Sequence, residues 1–389
     1  MKKIFLKKGK EKPLLSKHHW IFSGAIKEAP KLEQGELVEV YTESNTLLGK
    51  AYVNPKGSLF ARMIAFGTQS LEDALEKSIS DAFHLRNTLF QSLDTNCYRL
   101  INGEGDRIPG LIVDRYNDHL CIQIGTKGID RLKDKIVDLL KKFMPDVKCI
   151  YEKSDLPTRS QEGLKDFQGV LYGQLDAHLV GIENGYKFHV DLIEGQKTGF
   201  FIDQREMRKL IGSLSQNKEV LNCFSYSGGF SIYALKNGAK KVRSVDISKK
   251  AVELVEKNIK LNHLDSSDHE AICEDVFEFL KNDPIQDDIV ILDPPAFAKK
   301  KEDVVQACRG YKEINRLAML KMKKGALLLT ASCSYHVDEK LFQQVLFQAA
   351  LDAKREVKIL SRHHLAMDHP INIFHPEADY LKSFILEIQ

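Results

Sequence analysis

Apolar and polar residues alternate from Leu37 to Tyr41, Leu47 to Val53 and Leu59 to Ile64, with turn signals at Gly35, Asn45, Asn54-Pro55 and Gly57 between them. A period of two between turn residues predicts strands, so residues 1–69 read as a small β-rich module. At Leu71 the period changes: Leu71, Ala74, Leu75, Ile79, Ala82, Phe83 and Leu89 keep helical spacing to about Phe90. Strand-like runs follow at Tyr98 to Ile101, Leu111 to Asp114, Leu120 to Ile124 and Cys149 to Glu152, with a helix-like stretch around Ile129 to Phe143. Residues 70–185 therefore read as a central α+β domain. From 186 to 389, buried runs (Glu219 to Cys223, Lys241 to Asp246, Ala271 to Cys273, Ile289 to Leu292, Gly325 to Ala331) alternate with helical segments (Phe230 to Lys236, Lys249 to Leu261, Val276 to Leu280). This alternation predicts an α/β domain, a parallel sheet covered on both faces, whose ligands sit beyond the carboxyl ends of the strands.

Composition narrows the classes. In 389 residues, 43% are hydrophobic and 29% charged, which excludes a disordered or fibrous chain. The longest apolar runs fall far short of the ~18 residues of a membrane span. The basic start MKKIFLKKGKEK lacks the apolar stretch of a secretory signal, so a cytoplasmic protein with no membrane partner is expected. Seven cysteines, with no C-x-x-C pair, suggest neither a disulfide frame nor a zinc site. His363, His364, His369 and His375 are too irregularly spaced to predict a metal.

The net charge of +3 conceals an asymmetry, because residues 1–70 hold 12 Lys and Arg against 6 Asp and Glu. Lys7, Lys8 and Lys17 are candidate phosphate contacts beside Trp20 and Phe22, which could stack on bases. A solvated Lys-rich terminus and a core Trp20 fit the same residues.

Three loops suggest a nucleotide-like cofactor. After the strand at Glu219 comes Asn222-Cys223-Phe224-Ser225-Tyr226-Ser227-Gly228-Gly229, where glycines permit unusual backbone angles and close approach to a ligand; a tight connection is the alternative. Neither G-x-G-x-x-G nor G-x-x-x-x-G-K-[ST] is present, which disfavours NAD and ATP. The next loop begins Asp246-Ile247, an acid placed to bind ribose hydroxyls or to cap a helix, and the third holds Asp275-Val276, an acid placed for an adenine amino group or another cap. The fourth strand ends in Asp293-Pro294-Pro295-Ala296-Phe297, whose prolines stiffen the backbone beside Asp293. Asp-Pro-Pro after a buried strand resembles the substrate-binding motif of methyltransferases acting on nucleobases. With the three loops, it implies a class I S-adenosylmethionine (SAM) fold.

Cys333 follows the buried run Leu327-Leu328-Leu329 within Ser332-Cys333-Ser334. C5 of a pyrimidine is too weakly nucleophilic to take a methyl group unaided. A thiolate added at C6 activates it and later departs. Cys121, Cys149, Cys223 and Cys273 lie within strand-like runs and read as structural; Cys97 and Cys308 have no catalytic pattern nearby.

Gly195 to Arg205, Asn222 to Phe230, Asp293 to Phe297 and Ser332-Cys333-Ser334 together resemble the RlmI-type 23S ribosomal RNA cytosine-C5 methyltransferases. Leu100 to Tyr116 looks like that family's central domain and residues 1–69 like its PUA RNA-binding module. The resemblance implies SAM as cofactor, 23S ribosomal RNA as partner and a possible homodimer. It implies Cys333 as nucleophile and Asp293, with Pro294, Pro295 and Phe297, at the flipped pyrimidine. Asn222, Phe224, Ser225, Tyr226, Gly228, Asp246, Ile247, Asp275, Val276 and Asp293 would line the cofactor, joined by Asp203 and Gln204 from the strip over it. Better-known cytosine-C5 RNA enzymes carry a second cysteine after the Asp-x-Pro motif; Ala296 stands there, leaving the release base unassigned. A uracil-C5 enzyme, a guanine-N2 enzyme using the Asp-Pro-Pro loop alone, and a catalytically silent ribosome-assembly factor are the competing readings.

Overall fold

A computed structural model describes residues 1–91 and 94–389. The chain forms two units and passes between them several times. One comprises Met1–Gly185, Val190–Ile202 and Met367–Ala378, the other Tyr186–His189, Asp203–Ala366 and Asp379–Gln389.

The first unit opens with a six-stranded sheet: β1 (Lys2–Leu6), β2 (Trp20–Phe22), β3 (Ile26–Glu28), β4 (Leu37–Tyr41), β5 (Leu47–Val53) and β6 (Leu59–Phe66), in the order β2-β6-β5-β4-β1-β3. Ile4, Leu6, Val38, Val40, Ala51, Val53 and Met63 bury one face. Alternation marks β4 to β6. It passes over β1, which opens on two exposed lysines, and over β2 and β3, whose three residues each are too few to establish a period.

Helix Leu71–Phe90 follows, its first turn closed by Ser70, whose side chain accepts from the Asp73 amide. Its apolar stripe packs with a second sheet of β7 (Cys97–Asn102), β8 (Leu111–Tyr116), β9 (His119–Ile124), β10 (Cys149–Ser154) and β11 (Phe167–Gly173), in the order β11-β10-β9-β8-β7. The helical stretch predicted around 129–143 is two helices, Lys127–Arg131 and Lys133–Phe143, because Leu132 leaves helical angles at φ −99°, ψ 4°. β11, largely exposed and containing Gly169 and Gly173, carries no buried-strand signal.

After β12 (Val180–Glu183), the second unit begins with β13 (Tyr186–His189) and is built on a seven-stranded sheet. Its strands are β14 (Glu219–Cys223), β15 (Lys241–Asp246), β16 (His269–Cys273), β17 (Ile289–Leu292), β18 (Leu327–Ser332), β19 (Val357–His363) and β20 (Lys382–Ile388), in the order β16-β15-β14-β17-β18-β20-β19. The first five are parallel. β20 runs antiparallel to β18 and to β19, an addition the sequence pattern missed. Helices Gly229–Lys236, Lys249–Leu261, Val276–Asn282, Val304–Lys321 and Glu339–Asp352 connect the strands. The core includes Leu221, Val245, Val290, Leu292, Tyr311, Phe342 and Phe384.

The strand order reverses between β14 and β17, the topological switch point at which ligands of open α/β sheets bind.

Candidate functional site

Because β16, β15, β14, β17 and β18 are parallel neighbours, their carboxyl ends form a row. Asp275, Asp246, the Phe224–Gly228 loop, Asp293 and Cys333 follow these strands in that order. At about 4.8 Å per strand, the row from Asp246 to Cys333 spans roughly 14 Å, the scale of an extended nucleoside with its side chain.

The loop after β14 is held in costly backbone geometry. Phe224 and Tyr226 take left-handed angles (φ 59° and 45°), a rare state for residues bearing a Cβ. Ser225 N donates to Val245 O at 3.1 Å, Tyr226 N to Asp246 Oδ2 at 3.0 Å and Gly228 N to Ser225 O at 2.8 Å. Ser225 Oγ is buried and has no protein partner. The glycines serve packing. Gly228 sits at φ 75° where a Cβ would lie 2.8 Å from Val255 Cγ1, and at Gly229 it would lie 2.8 Å from Arg208 Cδ. The tight-connection reading therefore accounts for this pair.

Asn222 is buried, and its Nδ2 donates to Ser231 Oγ at 2.9 Å; Ser231 Oγ in turn contacts Ser244 Oγ (2.7 Å), which meets His269 Nε2 (2.8 Å). This buried chain ties β14, β15 and β16 to helix Gly229–Lys236. It engages the Asn222 amide in support of the loop rather than in lining it.

Asp246 does not cap the following helix. Ser248 does, accepting from the Ala251 amide at 3.3 Å. The Asp246 carboxylate instead receives Tyr226 N on Oδ2 and Ser248 N on Oδ1 (2.9 Å), which fixes it and leaves a lone pair on each oxygen. Asp275 is a cap: Oδ1 accepts from Phe277 N (2.9 Å) and Glu278 N (3.1 Å), so Oδ2 is the oxygen left for a ligand. Ile247, 68% exposed, offers an apolar surface at this end of the row. The Val276 side chain is buried in the core, so only its main chain is available to line a cofactor.

At β17, Asp293 is half-buried and its Oδ1 accepts from Gln204 Nε2 at 3.0 Å. Gln204 is buried, with Oε1 unpartnered. Asp203 is buried beside it and accepts on Oδ2 from Tyr380 OH at 2.7 Å. The protein-unpartnered Gln204 Oε1 and Ser225 Oγ, with the fixed Asp246 carboxylate, fit a polar, hydroxyl-bearing ligand such as SAM. Pro294 is buried and Pro295 exposed. Phe297 packs against Tyr311 (4.6 Å between centroids) and Phe277 (6.2 Å), so a stacking role would require it to leave an aromatic cluster.

Cys333 is half-buried, with Sγ 3.8 Å from Pro294 O, so sulfur and the Asp-Pro-Pro edge share one corner of the sheet. Ser334, next in sequence, holds this corner together: its Oγ accepts from Ala298 N at 3.0 Å and bonds Tyr311 OH at 2.9 Å. Burial, with Cys333 nearby, raises the Tyr311 hydroxyl above its ordinary range and keeps it neutral. Cys121, Cys149 and Cys223 are buried in strands, and burial pushes each thiol up, Cys149 to about 11. Cys273 corrects the structural reading: it is exposed, because β16 is the sheet's edge, and its Sγ lies 3.6 Å from Ile247 O. Sequence reasoning also missed Tyr311 and Lys382. The one signal for Lys382 is a charge opening the apolar strand KSFILEI.

In the first unit, Lys7, Lys8 and Lys17 are exposed. Lys7 Nζ donates to Gly24 O at 3.1 Å, and Lys17 Nζ lies over the Phe66 ring at 4.9 Å. Trp20 is half-buried; its Nε1 donates to Glu104 Oε1 at 2.9 Å and its ring meets His375 edge-on. Phe22 is 51% exposed, and with Lys10 and Trp20 it lines a pocket of about 310 Å³. His375 also meets His18 and Glu377, which sequence spacing could not reveal: His18 Nε2 is 3.1 Å from His375 Nδ1 and 3.3 Å from Glu377 Oε1. The Trp20 amide donates to His18 Nδ1 at 3.1 Å, which places the neutral ring's proton on Nε2, facing the carboxylate. The His18, His375 and Glu377 side chains bring possible ligand atoms within 4.8 Å of one another, close enough to share a metal ion as well as hydrogen bonds.

The sequence matches the model of the S-adenosylmethionine-dependent methyltransferase family over residues 171–348 and that of the PUA-like domain over 4–66. Ribosomal RNA large subunit methyltransferase I of Aliivibrio fischeri (strain ATCC 700601 / ES114) is 41% identical over 392 residues, and that of Vibrio vulnificus (strain YJ016) 42% over 393, each match covering 99% of both chains. Among solved structures, SMU.776 complexed with SAH superposes with a TM-score of 0.86 at 27% identity over all of both chains. Trm5b of Pyrococcus abyssi shares the fold at a TM-score of 0.52 and 18% identity, over 70% of this chain and 73% of its own. With fold, strand-end row and whole-length relatives in agreement, the chain belongs to the ribosomal RNA large subunit methyltransferase I family of SAM-dependent methyltransferases, with a PUA-like domain at its N-terminus.

Proposed function

We propose that the protein methylates C5 of a cytosine in 23S ribosomal RNA, with Cys333 as a transient nucleophile. The observation carrying this reading is the half-buried Cys333 sulfur 3.8 Å from Pro294 O, at the strand end beside Asp293. Relatives over the whole chain named for large-subunit ribosomal RNA support the substrate.

Bound SAM supplies an electrophilic methyl group on its sulfonium. The chain's own residues hold and activate the base. The Cys333 thiolate shares an electron pair with C6, which makes C5 nucleophilic toward that methyl. After transfer, the C5 proton passes to a base, the C5–C6 double bond re-forms and the sulfur departs as thiolate. Asp293, aimed by Gln204, contacts the polar edge of the ring. Asp246 and Asp275 hold the ribose and adenine of SAM. Ser225, Tyr226 and Ile247 border it, with Asp203 and Gln204 at its other side.

A stacked base must be extruded before sulfur and methyl group can reach its ring. The exposed Lys7, Lys8 and Lys17, with Phe22, supply phosphate contacts and a stacking surface for the surrounding RNA. The protein acts in the cytoplasm, where ribosomal RNA is found. A homodimer would use exposed apolar side chains such as Phe347, Leu351 and Leu360.

The test is transfer of labelled methyl from SAM to unmodified large-subunit RNA, followed by nucleoside analysis, for wild type and Cys333→Ala. The expected result is 5-methylcytidine from wild type and none from the variant. Recovery of 5-methyluridine or an N-methylated purine, or turnover by Cys333→Ala, would overturn the reading.

A further inference from the structure

A buried ammonium lies beside the proposed nucleophile. Lys382 opens β20, opposite Ser332, and is 3% exposed. Its Nζ donates to Ser334 O at 2.7 Å and to Tyr380 O at 2.8 Å. It thereby grips the backbone immediately after Cys333. Two carbonyls could be satisfied by a neutral donor, whereas burying a full charge is costly unless it is compensated. The charge therefore calls for an electrostatic recipient.

The ionisable groups around it can be taken in turn. Asp379 is paired with His364 at 3.0 Å, and Asp338 caps helix Glu339–Asp352 by accepting from Leu341 N at 2.8 Å. Neither forms a salt bridge with Lys382 among the described residues. Tyr311 is kept neutral by burial. The remaining neighbour is Cys333, whose charge interacts with Lys382. Burial pulls the ammonium below the ordinary lysine range, while Cys333, Asp379 and Asp338 act to keep it charged. Carbonyl acceptors also favour the charged form.

We propose that Lys382 is a positioning residue whose fixed ammonium, held by Ser334 O and Tyr380 O, stabilises the Cys333 thiolate. This inference rests on the reading of Cys333 as nucleophile. Ionisation releases the thiol proton to solvent, and the electron pair left on sulfur is stabilised by the Lys382 ammonium held at Ser334 O. The same cation favours the thiolate as leaving group when C6–S breaks.

The test is the pH dependence of Cys333 alkylation by iodoacetamide, followed by peptide mass spectrometry, with exposed Cys273 as internal reference. In wild type, Cys333 should half-titrate below Cys273. In Lys382→Gln and Lys382→Met the midpoint should rise by about one unit or more, leaving roughly tenfold less thiolate at neutral pH. Lys382→Arg, which retains the charge, should keep the low midpoint. Unchanged S-adenosylhomocysteine binding by calorimetry identifies the folded variants; if neither neutral variant folds, the wild-type midpoint relative to Cys273 decides. A wild-type Cys333 midpoint at or above that of Cys273, or an unmoved midpoint in a folded neutral variant, overturns the proposal. Methyl transfer by Cys333→Ala would instead overturn the nucleophile reading, so the two failures are distinguishable.

Discussion

Gln204 donates from Nε2 to Asp293 Oδ1 at 3.0 Å, so the carboxylate at the end of β17 is aimed by a residue that lies outside the sheet. Hydrogen bonds to charged groups contribute about 1.5–3 kcal/mol. Gln204→Ala should therefore lower kcat/KM for methyl transfer by roughly ten- to a hundredfold. Steady-state kinetics on large-subunit RNA checks this, and an effect under twofold would remove Gln204 from the positioning of Asp293.

Gly228 combines φ 75° with a Cβ site 2.8 Å from Val255 Cγ1. Gly228→Ala meets both backbone strain and crowding against helix Lys249–Leu261. It should destabilise the protein by about 1–3 kcal/mol. Denaturant unfolding measures the loss, and Gly228→Ala combined with Val255→Ala should recover the part that comes from crowding.

His269 adds a pH dependence. Burial lowers its pKa from 6.5 to about 4, while its Nε2 meets Ser244 Oγ within the buried chain. The unfolded ring binds protons near pH 6.5 and the folded ring only near 4, so the unfolded state holds more protons between these values. Stability then rises with pH across this window and is lost as pH falls from about 6.5 towards 4. Unfolding curves at pH 7 and pH 5 should show a smaller acid loss in His269→Gln than in wild type. Equal losses would assign acid sensitivity elsewhere.

The exposed lysines predict a salt signature. Replacing Lys7, Lys8 and Lys17 with alanine should weaken RNA binding with little regard to sequence. The slope of log affinity against log salt should fall by roughly 0.7 for each phosphate of single-stranded RNA that is no longer neutralised. Binding titrations at several salt concentrations test this; an unchanged slope would make these lysines solvated surface.

Much of the architecture was legible because burial imposes a period. Helix Leu71–Phe90 matches its apolar spacing, and β14, β15 and β17 match their apolar runs. The antiparallel β19 and β20 were not legible. β19 is partly exposed, while β20 is buried but opens on the polar pair Lys382-Ser383 and carries Glu387 near its end, which hides the pattern; nothing local announces which strand either joins. The strand-end row could be anticipated because glycines, acids and Asp-Pro-Pro recur after successive buried runs. Residues acting through tertiary contact could not be: Gln204 meets Asp293 from 89 positions away, and Lys382 meets Ser334 from 48. Spacing also could not distinguish side chains facing a ligand from those supporting it, as Asn222 and Val276 illustrate.

The bond between Cys333 and a pyrimidine ring is tested most directly by trapping. In RNA carrying 5-fluorocytidine at the target, C5 has no proton to lose after methyl transfer, so sulfur cannot depart and the adduct persists. Incubation with SAM, nuclease digestion and peptide mass spectrometry should show one methylated fluoropyrimidine nucleotide on Cys333 and none in Cys333→Ala. Methyl transfer to ordinary RNA with no adduct on Cys333 from the fluorinated RNA would contradict the account.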